Sequence, residues 1–205
     1  MILYYTPKTC ALAPHIALEE TGAEYQSVKI DFAKNEQRSP QFLAVNPKGR
    51  VPALVTEKGT LTETPALLAF LAQSFPASKL APIADPFAFA AAQAFNNYLS
   101  STMHVAHAHK YRGSRWVDDD KAHEAMIKKV PQNMNDCCAL IEGHMFKGPY
   151  VLGKDYSICD IYLFAVCTWL PGDGVDIAQY PKLAAHFKLM SERPAVKKVM
   201  EINNA

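Results

Sequence analysis

The sequence predicts an α/β domain followed by an all-α domain, on three observations. Strand and helix signals alternate over residues 1–76, nearly every pattern from residue 87 onward has helical spacing, and residues 77–86, containing SKLAPIADP, read as a linker. With 205 residues, 49% hydrophobic and 20% charged, the chain can bury a sizeable core. The division expected is therefore 1–76, linker 77–86, and 87–205.

Residues 2–6 form a short β-rich run. Residues 11–21 read as a helix, with Leu12, Ile16 and Glu19 at helical spacing and Gly22 as the stop beyond its C-terminus. A second strand over 25–30 puts Val28 and Ile30 on one face, and Ser39 with Pro40 supplies the N-cap and first position of a second short helix. Residues 51–56 and 59–62 make two brief strands joined by a turn, and Thr64 and Pro65 cap a helix that Pro76 ends. The order β-α-β-α-β-β-α is a parallel pair followed by a hairpin, which makes a mixed sheet with helices on its faces.

Beyond the linker, residues 87–110 are one long helical pattern interrupted by YRGSRW. Asp118, Asp119 and Asp120 stand where a new helix begins, and they read as its solvated first turn rather than a metal site. Ser157 and Asp160 form a capping box ahead of the apolar helix IYLFAVCTWL, and Pro181 opens a helix that runs to Arg193-Pro194.

Twenty-one basic and 20 acidic residues give a net charge of +1, so no bulk field draws nucleic acid or an anionic membrane. No apolar run approaches the roughly 20 residues of a membrane span, and the start MILYYTPK has neither the basic nor the apolar region of a signal peptide. A cytoplasmic location is expected. The five cysteines are odd in number and contain no CxxC spacing, which fits free thiols in a reducing compartment, with Cys137 and Cys138 read as packing residues.

Chemistry centres on TPKTCALAPH. Cys10 lies between a strand and a helix start, where it is either a small buried hydrophobe or a thiol whose anion the positive helix end favours. Tyr4 and Tyr5 point to opposite faces of their strand, so at most one can enter a site beside Cys10. His104, His107 and His109 raise a metal reading. His104 and His107 share a helix face, but His109 points elsewhere and no carboxylate or Cys completes the set, so no metal is expected. His15, His123, His144 and His186 have no distinguishing context.

Four stretches, YYTPKTCALAPHIALEETG, NPKGRVPAL, LTETPALLAFLA and YVLGKDYSICDIYLF, occur in the order and spacing of one family. Through them the chain resembles a glutathione S-transferase, most closely the bacterial beta class, over essentially its full length. The resemblance implies a thioredoxin-like N-terminal domain on an all-helical domain, glutathione as co-substrate, and a homodimer. Glutathione needs a main-chain clamp, anion sites for its carboxylates and a group that keeps its sulfur ionised. The resemblance implies that Val51 and Pro52 supply the clamp through a cis bond, a form that only about 5% of X–Pro bonds adopt. Glu63 and Thr64 would take the γ-glutamyl end, with Thr64 as N-cap, and Lys34 and Arg50 the other carboxylate.

Cys10 matches the cysteine characteristic of that class, and His104 and Asn97 match residues that approach the tripeptide from the long helix. Being seven apart, His104 and Asn97 are expected on one helix face. Cys10 and His104 are thus the candidate catalytic residues, and Tyr5 and His107 the candidates beside a small hydrophobic electrophile. One departure is Val105, where the family usually has a lysine after its histidine. Conjugation of glutathione to electrophiles is the implied activity. Glutathione-dependent thiol–disulfide exchange and a non-catalytic binding role are the alternatives.

Overall fold

The computed structural model describes residues 1–204. Its first part is a mixed sheet of four strands, β1 (Ile2–Tyr5), β2 (Gln26–Lys29), β3 (Ala53–Thr56) and β4 (Gly59–Thr62), in the order β2-β1-β3-β4. β1 runs parallel to β2 and antiparallel to β3, and β3 and β4 form the expected hairpin. A parallel pair needs a crossover, which α1 (Leu12–Thr21) provides before stopping at Gly22, whose φ of 67° suits glycine. Ser39 caps α2 (Pro40–Val45), its hydroxyl accepting from the Phe42 amide at 3.2 Å, and α3 (Thr64–Ser74) follows β4. Leu3 and Leu54 on the sheet, with Ile16 and Leu18 of α1 and Leu67, Leu68 and Leu71 of α3, are fully buried. Each contributes roughly 2 kcal/mol by leaving water.

The second strand differs from the reading above. It lies at the sheet edge with every residue exposed, so Val28 faces solvent, and Ile30 is buried only because the chain has already left the strand.

The helical part comprises α4 (Pro86–Tyr98), α5 (His104–Arg112), α6 (Asp120–Leu140), α7 (Ile158–Cys167), α8 (Pro181–Ser191) and α9 (Pro194–Asn204). A π turn over Leu99–Met103 joins α4 to α5. Asp119 caps α6, accepting from the Ala122 amide at 2.7 Å, so the aspartate run opens a helix as its sequence implied. All ten residues of α7 are buried, and its capping box is complete. Among the described residues no helix is long and apolar enough to cross a membrane.

Two compact units result: Met1–Phe89 with the segment from Ser191, and Ala90–Met190. α9 therefore packs with the sheet unit, against α1. Arg193 bonds Glu20 through Nε and Nη2 (2.8 and 3.0 Å), Lys198 pairs with Glu19, and Asn203 donates to His15 Nδ1 at 3.3 Å. His15 is fully buried between the rings of Tyr5 and Tyr25, and desolvation lowers its pKa to about 4.

Because the folded pKa of His15 lies below the unfolded value, its neutral form favours the folded state. That contribution is whole above about pH 6.5 and is lost as pH falls to about 4. Unfolding by urea should therefore show stability dropping by on the order of 3 kcal/mol across this window, and His15→Gln should flatten that drop.

Candidate active site

In the sheet unit the loop from β1 to α1 is held by its own threonines. Thr6 Oγ1 donates to the Ile30 carbonyl (2.8 Å). Thr9 Oγ1 donates to the Thr6 carbonyl (2.7 Å) and accepts from the Ala11 amide (3.3 Å). Cys10 sits on this loop, 8% exposed, with Sγ donating to the Val51 carbonyl at 3.9 Å. The amides of Leu12 and Ala13 turn back to the Thr9 and Cys10 carbonyls. The first turn of α1 therefore leaves fewer free donors near the thiol than a helix start in the sequence suggests.

Val51 owes its position to Asn46, which is 1% exposed. Its amide nitrogen donates to the Arg50 carbonyl (2.6 Å) and its oxygen accepts from the Lys48 amide (3.2 Å), closing residues 46–50 into a tight loop. Gly49, at φ 61°, passes so close that a Cβ would lie 2.9 Å from the Gln37 carbonyl. The Val51-Pro52 bond is cis. The Val51 amide has no backbone partner among the described residues, so it can pair with an incoming extended peptide.

The start of α3 is arranged one residue differently from expectation. Glu63, not Thr64, holds the N-cap position, at φ 74° and ψ 119°, and no side chain caps the helix. Thr64 is the first helical residue and is 4% exposed. Pro65 has no N–H, and the amides of Thr64 and Ala66 find no acceptor among the described residues, which leaves a positive helix end fit for a carboxylate. The left-handed backbone of a non-glycine residue is costly, and here it turns Glu63 beside that end. Lys48 bonds Glu63 Oε1 at 2.5 Å and Thr62 Oγ1 at 2.7 Å.

Lys48 and Asn46 were missed by sequence reasoning. The signal was the Asn-Pro turn that opens NPKGRVPAL, since a buried Asn after a helix is a loop organiser. Of the two cations chosen instead, Lys34 pairs with Asp31 at 3.3 Å, with its side chain 74% exposed, and Arg50 is exposed with its carbonyl held by Asn46. Tyr5 is buried at 5%, its ring 5.0 Å from that of His15, so within this unit it packs.

In the helical unit, Asn97 is exposed and its carbonyl accepts from Ser100 and Ser101. His104 follows the π turn. That turn takes in an extra residue, which shifts His104 relative to Asn97 from the register of a continuous α-helix. His104 Nε2 lies 2.9 Å from Arg112 Nη2 and its ring packs 4.9 Å from Trp169. His107 stacks on Trp169 at 4.3 Å, and its Nδ1 bonds Asp173 at 2.7 Å. Among the described residues no group of His, Cys, Asp and Glu could hold a metal ion.

Residues 1–73 match the family model described as glutathione S-transferase, N-terminal domain, and residues 107–202 match that of the C-terminal domain. Glutathione S-transferase GstA of Escherichia coli O157:H7 is 32% identical over 200 residues, covering 96% of each chain. Among solved structures, a glutathione transferase homologue from Sulfitobacter with bound glutathione superposes with a TM-score of 0.95 at 49% identity, over 98% of this chain and 97% of that one. A beta-class enzyme of Sphingomonas chungbukensis gives 0.86 at 31% identity, over 99% and 98%.

Cys10, 8% exposed, is the least buried of the five thiols, and burial weakens the other four as acids. Desolvation raises Cys137, pushes Cys138 and Cys159 up to about 12, and carries Cys167 well above the ordinary thiol value. Brief iodoacetamide treatment of the native protein near neutral pH should therefore label Cys10 before any of these four, as read by peptide mass spectrometry. In denaturant all five should react alike.

Proposed function

The chain belongs to the glutathione S-transferase family, and on that premise we propose that it binds glutathione in the sheet unit and conjugates it to small apolar electrophiles. The observation that carries the reading is the approach of Cys10 Sγ to the Val51 carbonyl, 3.9 Å, which sets a thiol beside a main-chain segment whose amide is available to a peptide. On this reading the cysteinyl residue of glutathione pairs with Val51 next to Pro52, which brings its sulfur to Cys10. The γ-glutamyl carboxylate meets the amides of Thr64 and Ala66, and its ammonium meets Glu63, sharing that carboxylate with Lys48. Lys34 and Arg50 are the reserve cations for the glycyl end.

Two thiols in contact do not both ionise cheaply, so they share a proton, or under oxidation form a mixed disulfide. In the conjugation step the glutathione thiolate supplies the electron pair for the new carbon–sulfur bond, while the thiol proton leaves to solvent or to a neighbouring base. His104 and Asn97 are proposed to assist from the helical unit, and Tyr5 and His107 to contribute to selection of the electrophile. A homodimer in the cytoplasm is the assembly and location that go with this reading.

Calorimetry tests the binding site. Removing Glu63 and Thr64 together by alanine should weaken glutathione at least tenfold, since each charge-assisted bond is worth about 1.5–3 kcal/mol. Unchanged affinity would show the site to be misplaced. Mass spectrometry after incubation with oxidised glutathione tests the thiol. The adduct should appear on Cys10 and vanish in Cys10→Ala, whereas chlorodinitrobenzene conjugation should fall less. Should Cys10→Ala abolish reduction of a mixed disulfide while the wild type lacks conjugation, thiol–disulfide exchange replaces conjugation as the activity.

A further inference from the structure

The helical unit holds a cavity that the conjugation reading does not use. It measures about 240 Å³, lies wholly within Ala90–Met190, and runs between α8 and the loop beyond α6. A dry cavity of about 150 Å³ already holds benzene, so this one has room for a single ring with a substituent. Phe146 backs it, 7% exposed, while Pro149, Ala185 and Leu189 are exposed and form its mouth. The wall is almost entirely apolar.

His186 is the exception in that wall. Its side chain is 1% exposed, its Nε2 lies 3.0 Å from Asp160 Oδ1, and its ring meets Phe146 edge-on with 5.3 Å between centroids. The same carboxylate accepts from the Val151 amide and from the Ser157 amide and hydroxyl, so it serves as an acceptor and Nε2 carries the proton. In the neutral imidazole Nδ1 is then an acceptor, and it is buried with no hydrogen-bond partner among the described residues. The other polar side chain of the wall is committed elsewhere, since Lys182 Nζ bonds the Glu142 carbonyl at 3.0 Å. The Glu142 carboxylate accepts from the Lys182 and Leu183 amides, both at 3.0 Å. One cation and one anion at the mouth balance, which suits a neutral guest.

We propose that this cavity binds small neutral phenols, with the ring against Phe146, Pro149 and Leu189 and the hydroxyl donating to His186 Nδ1. A phenol brings what the wall lacks. Its rigid apolar body loses little freedom on binding, and its single strong donor meets the one unmatched acceptor. Carboxylates and amines are excluded by their charge, which an apolar wall does not solvate. The site binds without making or breaking a bond, and it does not depend on glutathione, so it stands apart from the conjugation reading.

Nitrogen-15 NMR of the full-length protein with labelled histidine tests the proposal by titration with 4-methylphenol. The His186 Nδ1 resonance should move upfield from the position of an unbonded imidazole nitrogen, with half-saturation at about 1 mM or below. 4-Methylanisole, which keeps the ring but has no donor, should bind at least about tenfold more weakly, because it leaves the buried acceptor unmatched. Ala185→Trp, a change at an exposed position, should block the mouth and weaken 4-methylphenol at least about tenfold, with the melting temperature unchanged. An Nδ1 resonance that stays in place at about 10 mM 4-methylphenol, or equal affinity for the two ligands, overturns the proposal. So does full binding in a folded Ala185→Trp, which would put the phenol elsewhere on the molecule. Should Ala185→Trp fail to fold, the comparison of the two ligands in the wild type decides alone.

Discussion

A buried carboxylate must be matched donor for donor, and the helical unit is organised around one that is. Asp160, fully buried, accepts from the Val151 amide at 2.7 Å, from the Ser157 amide and hydroxyl at 2.8 and 2.9 Å, and has His186 Nε2 3.0 Å away. These partners come from the chain before α7, from its cap and from α8. One side chain thus fixes where the most apolar helix begins and what packs on it. Without these bonds the ten buried residues of α7 would have no defined register, because an apolar run has no intrinsic preference for where it starts.

The sheet unit solves a different problem. It has to hold out backbone groups that pair with nothing internal, and it does so with one buried side chain, two half-buried ones and a backbone turn that brace the loops. Asn46 closes the loop ahead of Val51, Thr6 and Thr9 knit the loop of Cys10, and the Glu63 backbone turns the chain into α3. The sheet supplies the rigidity, since β1 and β3 are adjacent and the Cys10 loop and the Val51 loop leave from neighbouring strand ends. A site of this kind is more exact than flexible loops would allow, because each loop spans only a few residues between fixed points.

What the sequence revealed follows from how local each determinant is. The capping box of α7, the cap on Ser39 and the stop at Gly22 were legible because each is settled within four residues. The order of strands and helices was legible from period alone. Val28 was misread because a strand's apolar alternation does not tell whether a second sheet neighbour or a helix covers it, and β2 is an edge. Lys48 escaped notice because its partner Glu63 is fifteen residues away, and Thr64 was given a cap that a single left-handed residue moved to Glu63. The π turn leaves no mark in a run such as LSSTM, so the relation of Asn97 to His104 could not be read from a period of 3.6.

Asp173 gains its meaning from comparison with Asp160. Both are buried in the same unit, and each meets one histidine. Asp160 uses both oxygens on donors that hold loops and helix ends together, and His186 beside it is 1% exposed, with its own Nδ1 left without a partner. Asp173 uses one oxygen on His107 and leaves the other without a protein partner, and its histidine keeps a path to solvent. A carboxylate kept for stability alone is expected to be fully matched, because every unmatched lone pair subtracts from what its burial returns. Asp173 therefore recovers less of its burial cost than Asp160 does, and what it fixes is the orientation of the His107 ring against Trp169.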